Sequence, residues 1–417
     1  MVKRARRWLR QLGPGLITGA ADDDPSGIAT YSQAGAQFGY QLGWTVVLTY
    51  PLMVGIQLIS ARMGRVTGHG LADNIRRHFP RPILYAVVAM LVMANTINVA
   101  ADIAAMGEAL RLVIGGRAHY YAILFGGVCL VLQVFLSYRL YVSYLKWLTL
   151  SLLAYVAVVF VIHLPLQEVI VGVLWPKFAF STDMVTVIVA VFGTTISPYL
   201  FFWQAAQEVE DLKADPQANA LKLNPAGARR ELRRINIDTY VGMGFSNLIA
   251  LFIIISTAAT LHAAGVRDIQ TSAQAAEALR PIAGEFTFLL FSLGIIGTGL
   301  LAVPVLAGSA AYAVTETFQW KGGLDSKLWE AREFYAIVAL ATIGGTALNF
   351  TGIDPIKALF WSAVINGVIA VPIMVVMMLL AANPEVMGTF TLQSRLSRVG
   401  WLATLIMGVA VVAMLIV

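Results

Sequence analysis

Apolar residues run along this chain in long stretches, separated by short polar segments that carry most of the charge. A bilayer's hydrocarbon core takes roughly 17 to 25 apolar residues per helix. Eleven spans are predicted, near 12–37, 43–61, 83–110, 119–138, 141–163, 183–207, 236–260, 284–310, 333–350, 355–381 and 399–417. The pattern predicts an all-α integral membrane protein, with 1–417 forming a single transmembrane domain. Two spans are interrupted. Span 1 carries Ala21-Asp22-Asp23-Asp24-Pro25-Ser26-Gly27, and span 6 carries Gly193-Thr194-Thr195-Ile196-Ser197-Pro198-Tyr199. Proline removes a backbone donor and disfavours helix at the residue before it. Backbone freed inside a bilayer must be satisfied by protein, water or a ligand. The breaks lie five spans apart, and an odd offset reverses one half relative to the other. The chain therefore reads as an inverted repeat: repeat 1 about 12–163, repeat 2 about 183–381, and an extra helix about 399–417. A pair of Pro/Gly-interrupted spans in matching positions points to a transporter's binding site.

Composition agrees with a membrane protein. Hydrophobic residues make up 58% of the chain and charged residues 12%, against about 25% charged in soluble domains; mean hydropathy is +0.75. With alternating spans, the Lys and Arg residues sort by side. Only Arg111, Arg117, Lys177, Arg267, Arg280 and Lys357 fall opposite the N-terminal side; the rest of the 29 lie with it. Basic residues concentrate in cytoplasmic loops. The expectation is a multi-pass protein of the cell inner membrane, N-terminus cytoplasmic and C-terminus extracytoplasmic. The net charge of +6 is then a topology signal and no sign of nucleic-acid binding. The basic N-terminus resembles a signal peptide, but its apolar run before Asp22 is short and lacks a cleavage site. Cys129 stands alone, which rules out an intrachain disulfide or a thiolate metal cluster. No obligate protein partner and no cofactor are called for. Residues 62–82 and 208–235 read as solvated cytoplasmic connections, the second with short helical pieces, and a surface helix is expected at Ser272–Leu279. Trp44, Trp147, Trp175 and Trp401 fit interfacial belts.

The breaks also carry chemistry. Ahead of Pro25 the carbonyl of Ala21 loses its helical partner, and Asp24 adds an anionic oxygen at the same depth. An intramembrane charge costs about 2.5–3.5 kcal/mol on insertion scales, a cost tolerated where water or an ion compensates it. At the second break Pro198 frees the carbonyl of Thr194, while Ser197 and Tyr199 add hydroxyls. Every donor is oxygen, with no Met, Cys or His in either break. Hard oxygen ligands suit Mg²⁺, Ca²⁺ and Mn²⁺, and a sparse shell suits an ion that keeps its water. Asp22 and Asp23 are expected in a vestibule. Asn98 and Asp102 share a face of span 3 and, with Gln204 and Glu208 at the end of span 6, are candidates for the ion's path. Asn366 and Ser362 share a face of span 10, where hydrogen bonding between helices is expected.

These residues resemble the Nramp family of divalent-metal transporters. Asp24-Pro25-Ser26-Gly27 is similar to its Asp-Pro-Gly-Asn signature, and Ser197-Pro198-Tyr199 sits where it has Met-Pro-His. The resemblance covers essentially the whole chain. It implies the LeuT-type five-plus-five fold with discontinuous helices 1 and 6, and a metal site at Asp24, Gly27, Ser197 and Tyr199 with the carbonyls of Ala21 and Thr194. The departures point to one branch. Gly27 replaces the ligating asparagine, Ser197 the methionine whose thioether favours transition metals, and Tyr199 a histidine implicated in proton handling. Ala105 stands where a second acidic residue is usual, and span 9 has no arginine after Arg332. These changes resemble the Nramp-related magnesium transporters, understood to carry Mg²⁺ and Mn²⁺ with more of the hydration shell and without proton coupling. The expected activity is thus passive import of largely hydrated Mg²⁺, and also Mn²⁺, by alternating access. The alternative is a proton-coupled Mn²⁺/Fe²⁺ importer, which Asp102 keeps open. Two more distant readings are a membrane-embedded Mg²⁺-dependent prenyl transferase, from the Asp22-Asp23-Asp24 run, and a LeuT-type amino-acid carrier. An anionic Asp24 disfavours the carrier because it would face the substrate's carboxylate.

Overall fold

The computed structural model describes residues 18–19, 21–135, 148–176, 180–215, 218–324, 326–351, 354–392 and 394–417. Trp147, Lys177 and the first halves of predicted spans 1 and 5 lie outside the described residues, or largely so. The longer helices are α1 (Pro25–Phe38), α2 (Gly43–Thr67), α3 (Leu71–His78), α4 (Arg81–Ile114), α5 (Ala118–Phe135), α6 (Leu153–Val161) and α7 (Leu166–Leu174). They continue as α8 (Thr182–Thr195), α9 (Pro198–Ala214), α10 (Ala228–Thr257), α11 (Thr287–Phe318), α12 (Arg332–Leu348), α13 (Pro355–Ala382) and α14 (Ser394–Ile416). Among the described residues, eight helical segments are long and apolar enough to cross a membrane, judged by length and composition.

The interruptions fall where the prolines are. Residues 21–22 are helical, Asp23 bends, and α1 starts at Pro25 with Asp24 in extended geometry as its N-cap. Proline suits the first helical position, where its missing donor would be unpaired anyway. The second interruption repeats the device: α8 ends at Thr195, Ile196 and Ser197 leave helical geometry, and α9 starts at Pro198. Pro51, Pro304 and Pro372, by contrast, sit inside continuous helices. A proline in an apolar span is therefore insufficient to open it; both breaks add small or hydroxyl residues beside the proline.

Around the breaks the helices approach by bare backbone. α1 packs against α8, α10 and α13, and α13 lies along α8 and α4. A Cβ on Gly193 would overlap the carbonyl of Ala363, and one on Gly367 would lie 2.8 Å from the carbonyl of Val189. Only glycine permits such proximity between α8 and α13. Gly299 of α11 likewise meets Met106 of α4, the close packing that its glycine-rich stretch predicts.

The polar connections 62–82 and 208–235 are more ordered than their polarity suggests. α2 runs to Thr67, beyond the predicted end, and α3 buries Leu71, Ala72, Asp73, Asn74 and Ile75. The 208–235 segment is pinned by backbone bonds from Leu221 and Lys222 to the carbonyls of Arg65 and Val66. The expected surface helix is present as a short α-helix, Ser272–Ala276, followed by a 3₁₀ turn, Glu277–Leu279.

Candidate functional site

Asp24 is built into the start of α1. Its Oδ1 accepts from the Ser26 hydroxyl at 2.7 Å and from the Gly27 amide at 2.7 Å. An anionic cap here satisfies two donors and the positive end of the helix dipole. Asp24 is only 1% exposed. Opposite it, α8 and the short helical turn before Asp23 present their carbonyl ends, the partially negative poles that attract cations.

The two breaks touch. The Tyr199 hydroxyl donates to the Ala21 carbonyl at 3.1 Å. The Tyr31 and Thr195 hydroxyls are 3.1 Å apart. A Cβ added to Gly27 would stand 3.2 Å from Thr194 Oγ1, so any side chain at 27 projects into the gap between the breaks. Among the described residues Thr194 Oγ1 is buried there without a hydrogen-bond partner. Asp24, Gly27, Ala21, Thr194 and Tyr199 therefore share one location. Ser197 belongs to it through Thr194: its hydroxyl donates to the carbonyls of Gly193 and Thr194 at 2.7 and 2.8 Å.

That bond corrects the expectation of a free Thr194 carbonyl, because proline removed its amide partner and serine replaced it. With the serine proton directed at its own backbone, the oxygen lone pairs are left for another acceptor role. The vestibule expectation for Asp22 and Asp23 is also corrected. They are 1% and 2% exposed and face α10, where Ser246 Oγ lies 2.5 Å from Asp22 Oδ2 and 3.0 Å from Asp23 Oδ1. One hydroxyl carries one proton, so it can donate to only one of these carboxylates at a time.

The remaining candidates divide. Asp102 is fully buried, with no hydrogen-bond partner on either carboxylate oxygen among the described residues, and lies within Coulombic reach of Asp24. Asn98, one turn away, is buried with its amide equally unpartnered. Gln204 instead accepts from Thr18 at 2.5 Å, holding the first helical turn against α9. Glu208 is fully buried and paired with Arg234 of α10 at 2.5 Å, an ion pair farther along α9, away from the breaks. Asn366 and Ser362 do not bond across helices as expected. Ser362 donates to Leu359 in its own helix, while the Asn366 amide is buried without a partner among the described residues, next to the glycine that meets the second break.

Ser246 and the Tyr199–Ala21 bond are the features missed from sequence. Ser246 lies in an apolar run, Gly244-Phe245-Ser246-Asn247-Leu248, and nothing local marks it as the partner of residues more than two hundred positions away.

Comparison with known proteins agrees with this architecture. The chain is 27% identical over 402 residues to a divalent metal cation transporter, MntH, of Chromohalobacter salexigens, covering 94% of this chain and 88% of that protein. It is 27% identical over 414 residues to the MntH of Deinococcus radiodurans, covering 96% and 88%. The crystal structure of a variant of the Eremococcus coleocola manganese transporter superposes with a TM-score of 0.76 at 16% identity, over 98% of this chain and 86% of that one. Mhp1, a nucleobase-cation-symport-1 family transporter, superposes at 0.59 and 14% identity, over 97% and 91%. The shared fold is thus the LeuT-type membrane fold. Residues 15–417 match the family described as natural resistance-associated macrophage protein-like, and the chain belongs to that family, Nramp.

Proposed function

We propose that this protein imports divalent cations, chiefly Mg²⁺ and also Mn²⁺, as largely hydrated ions and without proton coupling. The MntH relatives carry the name divalent metal cation transporter, and the Eremococcus coleocola neighbour is named a manganese transporter. One observation carries the location of the ion: the two breaks meet at Tyr199 and Ala21 beside the buried Asp24. Asp24, the Ala21 and Thr194 carbonyls and Ser197 are the proposed ligands, all hard oxygen donors. Gly27 leaves room for water between ion and protein. Eleven passes, an inverted five-plus-five repeat and a cytoplasmic N-terminus complete the reading, and the inner membrane is its place. Membrane potential suffices as a driving force, since a divalent ion gains about 4.6 kcal/mol per 100 mV, twice the value for one charge.

The buried, unpartnered Asp102 favours a second reading, a proton-coupled Mn²⁺/Fe²⁺ importer. Purified protein in liposomes separates the two. Mg²⁺ and Mn²⁺ influx without lumenal acidification is expected; proton influx matched to metal influx would establish the coupled version. The double variant Gly27→Asn, Ser197→Met should shift preference from Mg²⁺ toward Mn²⁺ by about tenfold in competition, the equivalent of roughly 1.4 kcal/mol. An unchanged ratio would show that cavity size and donor softness do not set selectivity.

A further inference from the structure

We propose, resting on the ion site just described, that the Tyr199 hydroxyl is a built-in stand-in for the cation, holding one of the site's own ligands until an ion displaces it. The geometry runs against a simple ligand role for this residue. Its hydroxyl donates to the Ala21 carbonyl at 3.1 Å, which is proposed to bind the ion. A phenol has a single proton, directed here at an acceptor that a cation would need. The tyrosine is completely buried, so this carbonyl gains from it what water supplies at an open site. Leaving a buried carbonyl unsatisfied is costly.

An entering cation must therefore replace the contact that Tyr199 makes. An ion that attracts this oxygen no better than the phenol proton does not displace it, while a divalent ion does. The hydroxyl acts as a threshold that raises the concentration needed for occupancy and discriminates against weakly attracting ions. Ser197 differs in that its proton is directed within its own break, at the Gly193 and Thr194 carbonyls; it shares the Thr194 carbonyl with the ion, and its own oxygen stays available.

The sign of the effect tests this. Removing the hydroxyl leaves the ion-free site less satisfied, so Tyr199→Phe should lower KM for Mn²⁺ by about three- to tenfold, the range of one net hydrogen bond. The maximal rate should stay level or fall, since a tighter ion leaves more slowly. Liposome influx of Mn²⁺ read by a lumenal dye gives both constants. A raised or unchanged KM would overturn the stand-in. Asp24→Ala in the same assay keeps the two readings apart. If it transports normally, the ion site itself is wrong, whatever Tyr199 does. If it is inactive and Tyr199→Phe raises KM, the site stands and Tyr199 is an ordinary ligand. Should Tyr199→Phe fail to fold, wild-type protein with ring-labelled tyrosine gives a second readout. Mn²⁺ saturation should shift a tyrosine C–O stretch in the infrared difference spectrum, and a spectrum without any tyrosine band overturns the proposal.

Discussion

Glu208 and Asp102 are both fully buried acids, yet their surroundings are opposite. Glu208 meets Arg234 at 2.5 Å, and the contact extends through Glu231 to Arg65 at 3.3 and 2.9 Å, tying α9, α10 and α2 together. Asp102 has no basic or hydrogen-bonding partner among the described residues, and neither Asp22, Asp23 nor Asp24 has a basic one. Burying a charge is expensive, and a protein ordinarily supplies the counter-charge itself. At that junction it does. Between the breaks the described residues give Asp22, Asp23 and Asp24 hydroxyl and amide donors, Asp102 lies within Coulombic reach of Asp24, and none of the four has an arginine or lysine partner among the described residues. A fixed counter-ion makes a structural joint; its omission leaves negative potential for a mobile cation.

This contrast can be broken experimentally. The largest effect should come from Arg234→Ala, which strands Glu208 and should destabilise the protein by about 3–5 kcal/mol, read as a lowered unfolding midpoint in detergent; restoring most of the loss with Glu208→Gln in the same chain would show that the pair matters as a pair. Next is Asp24→Ala. Metal influx should drop about a hundredfold, equivalent to roughly 2.7 kcal/mol in barrier, while the midpoint moves little; normal influx would remove this residue from the site.

Asp102→Asn sharpens the comparison, because it neutralises an acid that has no partner to lose. It should raise the unfolding free energy by about 1 kcal/mol, opposite in sign to the arginine variant, and a clear destabilisation would reveal a partner. The smallest effect concerns Asp73 on α3. Burial opposes its ionisation, but contacts from His69, Arg76 and Arg77 outweigh this and hold the carboxyl well below the usual carboxylate range. A depressed carboxyl stabilises the fold in full above the ordinary aspartate value of about 3.9 and loses that contribution as pH falls further. Asp73→Asn should cost about 0.5–1 kcal/mol at pH 7 and progressively less below pH 4, measured by thermal unfolding across pH.

Local signals made the breaks legible, since Asp24-Pro25 and Ser197-Pro198 sit where α1 and α9 begin. Proline acts on its immediate neighbours, so its consequences can be read along one chain. Contacts between helices cannot. The pairing of Glu208 with Arg234, the Ser246 contact and the occupied Ala21 carbonyl depend on helix rotation and depth, which hydrophobic spacing does not encode. Asn366 was misassigned for the same reason: four-residue spacing put it beside Ser362 on one helix, but each hydroxyl or amide there answers to different surroundings.

The glycine pair at 193 and 367 has a consequence for mutational tolerance. Because peptide planes of two helices rest on one another there, the spacing between them is already at its minimum, and what an added Cβ would meet first is backbone, which cannot rearrange as a side chain could. Even one added methyl group would act as a wedge, prising α8 from α13 and shifting the whole second opening relative to the first. A variant library should find this spot more intolerant of alanine than many of the larger residues around it, although neither glycine offers an ion a single donor atom beyond its backbone.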